Sequence, residues 1–117
     1  MSDITLYHNS RCSKSRAALA LLEERGIQAT VINYLDTPLN AQQLSTLLGK
    51  LGLSARQLMR KGEAVYSEMN LDQQNLTEAE LIDAMVQAPI LIERPVLVVG
   101  QRAAIGRPLE NLIEILS

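Results

Sequence analysis

A strand, a helix and a second strand follow one another within the first 34 residues, and this order constrains the fold more than any other feature. Residues 4–7 are rich in strand formers, and residues 29–34 predict a second strand. Between them, residues 17–25 favour a helix that Gly26 closes. A β-α-β unit of this length is expected to place its strands parallel, with a right-handed crossover.

Cys12, the only cysteine, lies at the junction where the first strand ends and the helix begins. A helix N-terminus presents unpaired backbone N–H groups and the positive end of the helix dipole, which favour a thiolate and a bound anion. Arg11, Lys14 and Arg16 add positive charge. The alternative is a buried, inert thiol, because free cysteines are among the most buried residues. The polar neighbours favour the reactive thiol.

Two further side chains in this stretch, Ser15 and His8, are candidates for supporting the thiolate. Ser15 completes a Cys-x-x-Ser motif, and its hydroxyl can hydrogen-bond the thiolate or cap a backbone N–H. Without a second cysteine, an oxidised adduct at Cys12 must be resolved by a thiol from another molecule. His8, the only histidine, can pair with Cys12 or orient the loop; the alternative is a structural or solvated residue.

The middle of the chain, at about 37–89, is predicted to be a helical insert between two sheet-forming regions. The stretch from 63 to 74 is polar and predicts a loop or an irregular turn of helix. Pro89 is expected to end the last helix of the insert. Three capping pairs predict helix starts: Asn40 with Gln43, Ser54 with Gln57, and Thr77 with Glu80.

The C-terminal part predicts a β-hairpin followed by a helix. Residues 95–99 form an apolar run typical of a buried strand, residues 102–105 predict an antiparallel return, and Pro108 is expected at the first position of a last helix. The order βαβ, helical insert, ββα predicts one α/β domain over residues 1–117 with a thioredoxin/glutaredoxin-like mixed sheet. That fold places a cis-proline before its third strand, and Pro95 is the candidate.

Composition excludes several classes of function. A net charge of −2 argues against non-specific binding to nucleic acids or membrane surfaces, and three tyrosines without tryptophan or phenylalanine offer little base stacking. One cysteine and one histidine make a protein zinc site unexpected, and we expect no metal. The N-terminal residues lack the pattern of a signal peptide, and no apolar run spans a membrane, so we expect a cytoplasmic protein.

Several segments together resemble the ArsC family, the glutaredoxin-coupled arsenate reductases. They are Tyr7-His8-Asn9, Arg11-Cys12-Ser13-Lys14-Ser15-Arg16, Arg60, Glu93-Arg94-Pro95-Val96 and Gly106-Arg107-Pro108. The resemblance implies a thioredoxin-like fold with a helical insert and a nucleophile at Cys12. It also implies a loop histidine at His8 and oxyanion-binding arginines at Arg60, Arg94 and Arg107. Guanidinium groups suit this role because they bind tetrahedral oxyanions through paired donors.

The resemblance further implies reduction of arsenate to arsenite through a covalent Cys12 adduct. Glutathione would serve as co-substrate and glutaredoxin as the partner that removes the mixed disulfide, with no tightly bound cofactor. The sequence departs from the family at Ser10, where many members have proline, and at Ser13-Lys14, which replaces Gly-Thr of the plasmid-borne enzymes. These departures bear on the substrate more than on the fold.

Three other functions compete with arsenate reduction for this sequence. A cysteine phosphatase requires a C-x5-R loop, and position 18 is alanine. A glutathione-linked thiol oxidoreductase with another substrate would use the same nucleophile. A regulatory protein similar to the Spx relatives would bind RNA polymerase, but their redox switch normally uses two cysteines, and Ser15 counts against it.

Overall fold

The computed structural model describes residues 3–116, and the chain divides into two compact units. One unit, which we call the sheet unit, contains the residues up to Thr37 and those from Arg94 onward. The other, the insert unit, is Pro38–Glu93. The helical insert therefore extends beyond the expected boundary at 89, because a 3-10 turn at Pro89–Leu91 continues the helical segment.

The sheet unit contains a four-stranded mixed sheet in the order β2-β1-β3-β4. Its strands are β1 (Ile4–His8), β2 (Thr30–Asn33), β3 (Val96–Val99) and β4 (Arg102–Ile105). β1 pairs parallel with β2 and antiparallel with β3, and β3 pairs antiparallel with β4. The predicted β-α-β unit and hairpin are thus confirmed. Because β3 lies between two strands, its predicted burial follows from its position in the sheet.

Both helices of the sheet unit begin at a different residue from the one that the sequence predicted. Helix α1 (Ser13–Glu24) begins four residues before the predicted 17, because the polar residues after Cys12 form its exposed first turn. Helix α6 (Glu110–Leu116) begins two residues after Pro108. At its start, the amides of Asn111 and Leu112 donate to the carbonyls of Pro108 and Leu109, so the chain enters the helix through tighter turns.

One face of the sheet carries the core of this unit. Leu6 of β1 and Leu97 of β3 are register partners, and each is fully buried. Ala18 and Leu22 of α1 and Leu112 of α6 pack against them. Side chains alternate along a strand, so His8 lies on the same face of β1 as Leu6. The strand thereby directs His8 towards the helix that Cys12 begins.

The insert unit contains helices α2 (Ala41–Leu51), α3 (Ala55–Leu58), α4 (Ala64–Glu68) and α5 (Glu78–Gln87). All three predicted capping boxes are present, at the N-termini of α2, α3 and α5. The stretch from 63 to 74 contains α4, a short helix with no capping side chain among the described residues. No helix in residues 3–116 is both long and apolar enough to cross a membrane.

Arg56 organises the polar stretch from 63 to 74, for which the sequence predicts a loop or an irregular turn of helix. Its Nη1 donates to Tyr66 Oη at 2.6 Å and to the Leu71 carbonyl at 2.7 Å, and its Nη2 donates to the Gln73 carbonyl at 2.9 Å. One guanidinium therefore fixes the segment through three acceptors. These partners are 10 to 17 residues away along the chain.

Gly106 makes a close backbone approach to its neighbours in the sheet unit. A Cβ added there would lie 2.8 Å from Pro95 Cγ and 3.0 Å from Leu112 Cδ1. The Gly106 amide donates to the Pro95 carbonyl at 2.8 Å. The residue after Gly106 is Arg107, so this contact sets where that arginine leaves the sheet.

We predict that Gly106→Ala lowers the free energy of unfolding by about 1–3 kcal/mol, because the added methyl overpacks a buried contact. Gly49→Ala is the matched control, since nothing lies within 4 Å of a Cβ there and the residue is inside α2. That control should be neutral or stabilise by up to about 1 kcal/mol. Urea unfolding measures both, and equal effects would contradict the close-approach interpretation.

Candidate active site

The loop between β1 and α1 holds Cys12 at the N-cap position of the helix. Its backbone is extended, with φ −97° and ψ 124°, and its carbonyl accepts the Arg16 amide at 3.0 Å, which starts the helix. The Cys12 amide donates to the Asn9 carbonyl at 3.0 Å, and the Arg11 amide donates to Asn9 Oδ1 at 3.0 Å. The two turns built on Asn9 thus fix the approach to the cysteine.

His8 and Ser15 form a buried pair behind this loop. Ser15 Oγ lies 2.6 Å from His8 Nδ1 and accepts the Asn9 amide at 2.9 Å. Of the two options for the Ser15 hydroxyl, the structure therefore gives the capped backbone N–H. Likewise, the hydrogen-bond partner of His8 is Ser15, which fits the option that His8 orients the loop. Both residues help to fix the backbone of the loop around Cys12.

Two of the three arginines implied by the resemblance lie at the sulfur. Arg107 Nη2 donates to Cys12 Sγ at 3.2 Å, and its Nε donates to the Arg94 carbonyl at 2.8 Å. Arg94 Nε and Nη1 are buried and have no hydrogen-bond partner among residues 3–116. The Arg94–Pro95 peptide bond is cis, the isomer that the fold resemblance implied, and Arg107–Pro108 is cis as well.

The surroundings of Cys12 favour the thiolate. Burial raises the pKa of the thiol, but hydrogen bonding from the Ser15 and Lys14 backbone amides and the positive charge and hydrogen bonding of Arg94 outweigh it. The net effect is a pKa below the ordinary value of a cysteine. No side-chain hydrogen bond from Cys12 caps α1 within the described chain, so the helix terminus acts on the sulfur through its amides and dipole.

His8 is held neutral near pH 7. Burial lowers its pKa, the positive charge of Arg16 lowers it further, and a hydrogen bond with Ser15 offsets part of the change. A depressed histidine pKa means that protonation opposes folding, so its contribution to stability is present above the unfolded pKa and is lost as the pH falls. The imidazole therefore acts as a hydrogen-bonding group beside Ser15 and adds no positive charge to the site.

Arg60, the third arginine, belongs to the insert unit and is held by two carboxylates. Its Nε lies 3.2 Å from Glu63 Oε2, and its Nη1 lies 3.0 Å from Glu93 Oε1. No local sequence pattern predicts these two carboxylate partners of Arg60. The role of Arg60 as an oxyanion ligand stays a prediction.

Within residues 3–116, no three His, Cys, Asp or Glu side chains form a group that could hold a metal ion.

Comparison with known proteins places the chain in a family. The model of the ArsC family matches residues 7–115. The chain belongs to the ArsC family. It is 50% identical over 117 residues to an arsenate reductase of Neisseria meningitidis serogroup A, covering 99% of this chain and 100% of that protein. It is 42% identical over 116 residues to an arsenate reductase of Escherichia coli, covering 99% of this chain and 82% of that protein.

Solved structures of ArsC proteins have the same fold. The arsenate reductase from Vibrio cholerae superposes with a TM-score of 0.94 at 44% identity, covering 97% of this chain and 98% of that one. The fold is therefore the thioredoxin-like mixed α/β fold of the ArsC proteins, as the order of elements predicted.

We predict that Cys12 in the folded ArsC protein alkylates with a lower pH midpoint than in the same chain unfolded in urea, because the folded site stabilises the thiolate. Arg94→Met should raise the folded midpoint, since it removes a stabilising charge. Arg25→Met, an exposed change at the far end of α1, is the control and should leave it unchanged. Equal midpoints for the folded and unfolded chains would contradict the activated thiolate.

We also predict that Ser15→Ala destabilises the fold by about 2–4 kcal/mol, because it leaves the Asn9 amide and His8 Nδ1 buried without their partner. Ser13→Ala, an exposed serine in the same helical turn, should change stability by less than about 0.5 kcal/mol. Urea denaturation at pH 7 separates the two. A Ser15→Ala effect as small as that of the control would show that the buried pair is dispensable.

Proposed function

We propose that this protein is an arsenate reductase in which Cys12 attacks arsenate and forms a covalent adduct. The observation that carries the proposal is a thiolate-favouring cysteine beside Arg94, whose Nε and Nη1 are buried without a partner among the described residues. Buried donors are normally satisfied, so an anion is the natural ligand for this side chain. The arsenate reductases at 50% and 42% identity support arsenate as that anion.

Arsenate binding would use three groups of donors. Arg94 supplies Nε and Nη1, Arg107 supplies the guanidinium that reaches Sγ, and the N-terminus of α1 supplies backbone amides and its dipole. Arg107 is also tied to the Arg94 carbonyl, which holds its guanidinium at the sulfur. This arrangement would bring arsenic within reach of the nucleophile and spread the negative charge of the oxyanion over fixed donors.

In the first step, the Cys12 thiolate attacks arsenic. A sulfur–arsenic bond forms, and an arsenate hydroxyl group takes up a proton and leaves as water. The product is an As(V) thioester-like adduct in which arsenic has not yet been reduced. The arginines stabilise this step because they face the oxygens on which negative charge concentrates.

In the second step, glutathione supplies the other thiol. Its sulfur attacks Sγ, so that an S–S bond forms and the Sγ–As bond breaks, and the proton lost by the glutathione thiol ends on an arsenic oxygen. The electron pair stays on arsenic, which falls from As(V) to As(III) and leaves as arsenite. The two thiols together supply both electrons, and no tightly bound cofactor is needed.

Glutaredoxin would then regenerate the enzyme. Its thiolate attacks the glutathione sulfur of the mixed disulfide, so that Cys12 leaves as a thiolate and glutaredoxin carries the glutathione away. An external thiol is required because Cys12 is the only cysteine of the chain and Ser15 occupies the position of a resolving partner. Both soluble thiol partners fit the cytoplasmic location that the sequence predicts.

Arg60 is proposed as a third oxyanion ligand from the family resemblance. Glu63 and Glu93 engage its Nε and Nη1, so the charge it presents to an anion is partly neutralised. We therefore expect Arg60 to contribute less to arsenate binding than Arg94. The comparison of the two alanine variants tests this order.

We predict arsenate-dependent oxidation of NADPH when the protein is coupled to glutathione, glutaredoxin and glutathione reductase. Cys12→Ser should abolish turnover, because it removes the nucleophile. Arg94→Ala should lower kcat/KM for arsenate at least about tenfold, through the loss of charge-assisted hydrogen bonds. Arg60→Ala should lower it less, and Arg25→Ala, on the exposed end of α1, should leave it unchanged.

Equal inactivity of the wild type and Cys12→Ser would overturn arsenate reduction. Reduction of glutathione mixed disulfides by the same inactive protein would then favour a glutathione-linked oxidoreductase with another substrate. Co-purification with RNA polymerase would favour the regulatory alternative. An unchanged kcat/KM for Arg94→Ala would remove that arginine from the anion site.

A further inference from the structure

An open cavity of about 290 Å³ lies against the loop that carries Cys12. One wall is the β1–α1 loop, and the other is the chain that leaves β2. The lining residues are Asn9, Ser10, Arg11, Asn33, Leu35 and Asp36. His8 and Asn33 are register partners in the parallel strands, so both walls leave the same end of the sheet. Ligand sites in α/β sheets favour this end of parallel strands.

Hydrogen bonds give both walls a defined shape. Asn33 accepts the Asp36 amide at 3.1 Å through its carbonyl and the Leu35 amide at 3.3 Å through Oδ1. On the opposite wall, Asn9 Oδ1 accepts the Arg11 amide at 3.0 Å. Each asparagine therefore uses its side-chain oxygen in its own turn, which leaves the Nδ2 group as the donor it can offer a ligand.

The cavity presents one positive and one negative side chain. Arg11 and Asp36 are both exposed, and neither forms an ion pair within the described chain. A simple anion would be repelled by Asp36, and a simple cation would be repelled by Arg11. A ligand that carries both a carboxylate and an ammonium group satisfies both residues. The volume is at the lower end of those of small-molecule sites and suits part of a short peptide.

We propose that this cavity binds the zwitterionic part of the thiol that resolves the Cys12 adduct, a γ-glutamyl tripeptide of the glutathione class. Arg11 pairs with a carboxylate of the tripeptide, Asp36 pairs with its ammonium group, and the asparagine amides donate to its carboxylate or peptide oxygens. The inference rests on the proposed function and assigns its second thiol a binding site. It makes Arg11 and Asp36 the residues that select the thiol.

The position of the cavity fits this role. Arg11 precedes Cys12 directly, and the Asn9 carbonyl accepts the Cys12 amide, so the cavity wall and the nucleophile belong to one short loop. In a γ-glutamyl tripeptide the zwitterionic end is joined to the thiol-bearing residue through the two methylenes and the carbonyl of the glutamyl side chain, a span of less than about two residue lengths. Anchoring a charged end of the tripeptide in the cavity would therefore hold its sulfur near Sγ and raise the effective concentration of the thiol.

The test uses a mixed disulfide between Cys12 and thionitrobenzoate, which forms at a single site because the chain has one cysteine. A thiolate that attacks Sγ forms a new S–S bond and releases the coloured thionitrobenzoate anion, which is the better leaving group. The rate constants for glutathione and for 2-mercaptoethanol, which carries neither charge, give a selectivity ratio. The reaction contains no arsenate, so it is independent of arsenate turnover.

We expect Arg11→Ala and Asp36→Asn each to lower the glutathione/2-mercaptoethanol ratio by about three- to tenfold, the loss of one charged contact. The controls are Arg25→Ala and Asp3→Asn, matched exposed changes in the same unit, and they should leave the ratio unchanged. S-methylglutathione, which cannot react, should slow the attack of glutathione on the wild type and not on Asp36→Asn.

Asp36→Asn provides the sharpest discrimination. Glutathione is a net anion, so general electrostatics predicts that removing a nearby negative charge speeds its attack, whereas the cavity predicts that it slows. A ratio that stays the same or rises in Asp36→Asn would overturn the proposal and make the cavity a solvated groove. Selectivity for glutathione without arsenate turnover would overturn the proposed function alone, and turnover without selectivity would overturn this inference alone.

Discussion

The stabilisation of a negative charge on the Cys12 sulfur is the interaction on which the candidate site depends. A buried thiol would ordinarily resist ionisation, and burial alone raises its pKa. The start of α1 reverses that preference through the Ser15 and Lys14 amides, and Arg94 adds a positive charge. The site is therefore a consequence of where a helix begins, and the packing of Ala18 and Leu22 against β1 holds that beginning in place.

The second half of the site comes from the opposite end of the sequence. Arg94 and Arg107 flank the β3–β4 hairpin, and the cis Arg94–Pro95 bond and the tight approach at Gly106 shape the backbone at their positions. Arg107 then reaches the Arg94 carbonyl and the sulfur together. This arrangement requires β1 and β3 to be neighbours, so the antiparallel pairing in the middle of the sheet is part of the chemistry.

Local sequence signals predicted the elements well because their physical causes are local. Capping boxes at Asn40, Ser54 and Thr77 are formed by side chains three residues apart, and all three helix starts agree with the structure. The order of strands and helices also predicted the sheet, because few topologies suit a β-α-β unit followed by a hairpin. The junction at Cys12 was predictable because the strand before it and the helix after it both have local sequence signals.

The contacts that the sequence did not reveal join residues far apart or depend on the exact direction of a side chain. The Ser15 hydroxyl could be assigned to the backbone only once the structure placed it beside His8 and Asn9. The carboxylates that hold Arg60 include Glu93, 33 residues away. Gly106 does not have a positive φ that would require glycine. Glycine is needed there because the atoms of Pro95 and Leu112 leave no room for a Cβ.

If Cys12 and the two arginines form one arsenate site, a crystal structure of the protein after exposure to arsenate should show all three in contact with the bound anion. We expect arsenic bonded to Cys12 Sγ, with its oxygens within hydrogen-bond distance of Arg94 Nε or Nη1 and of the Arg107 guanidinium. Arsenic bound elsewhere while Sγ stays unmodified, in crystals of protein that turns over arsenate, would contradict it.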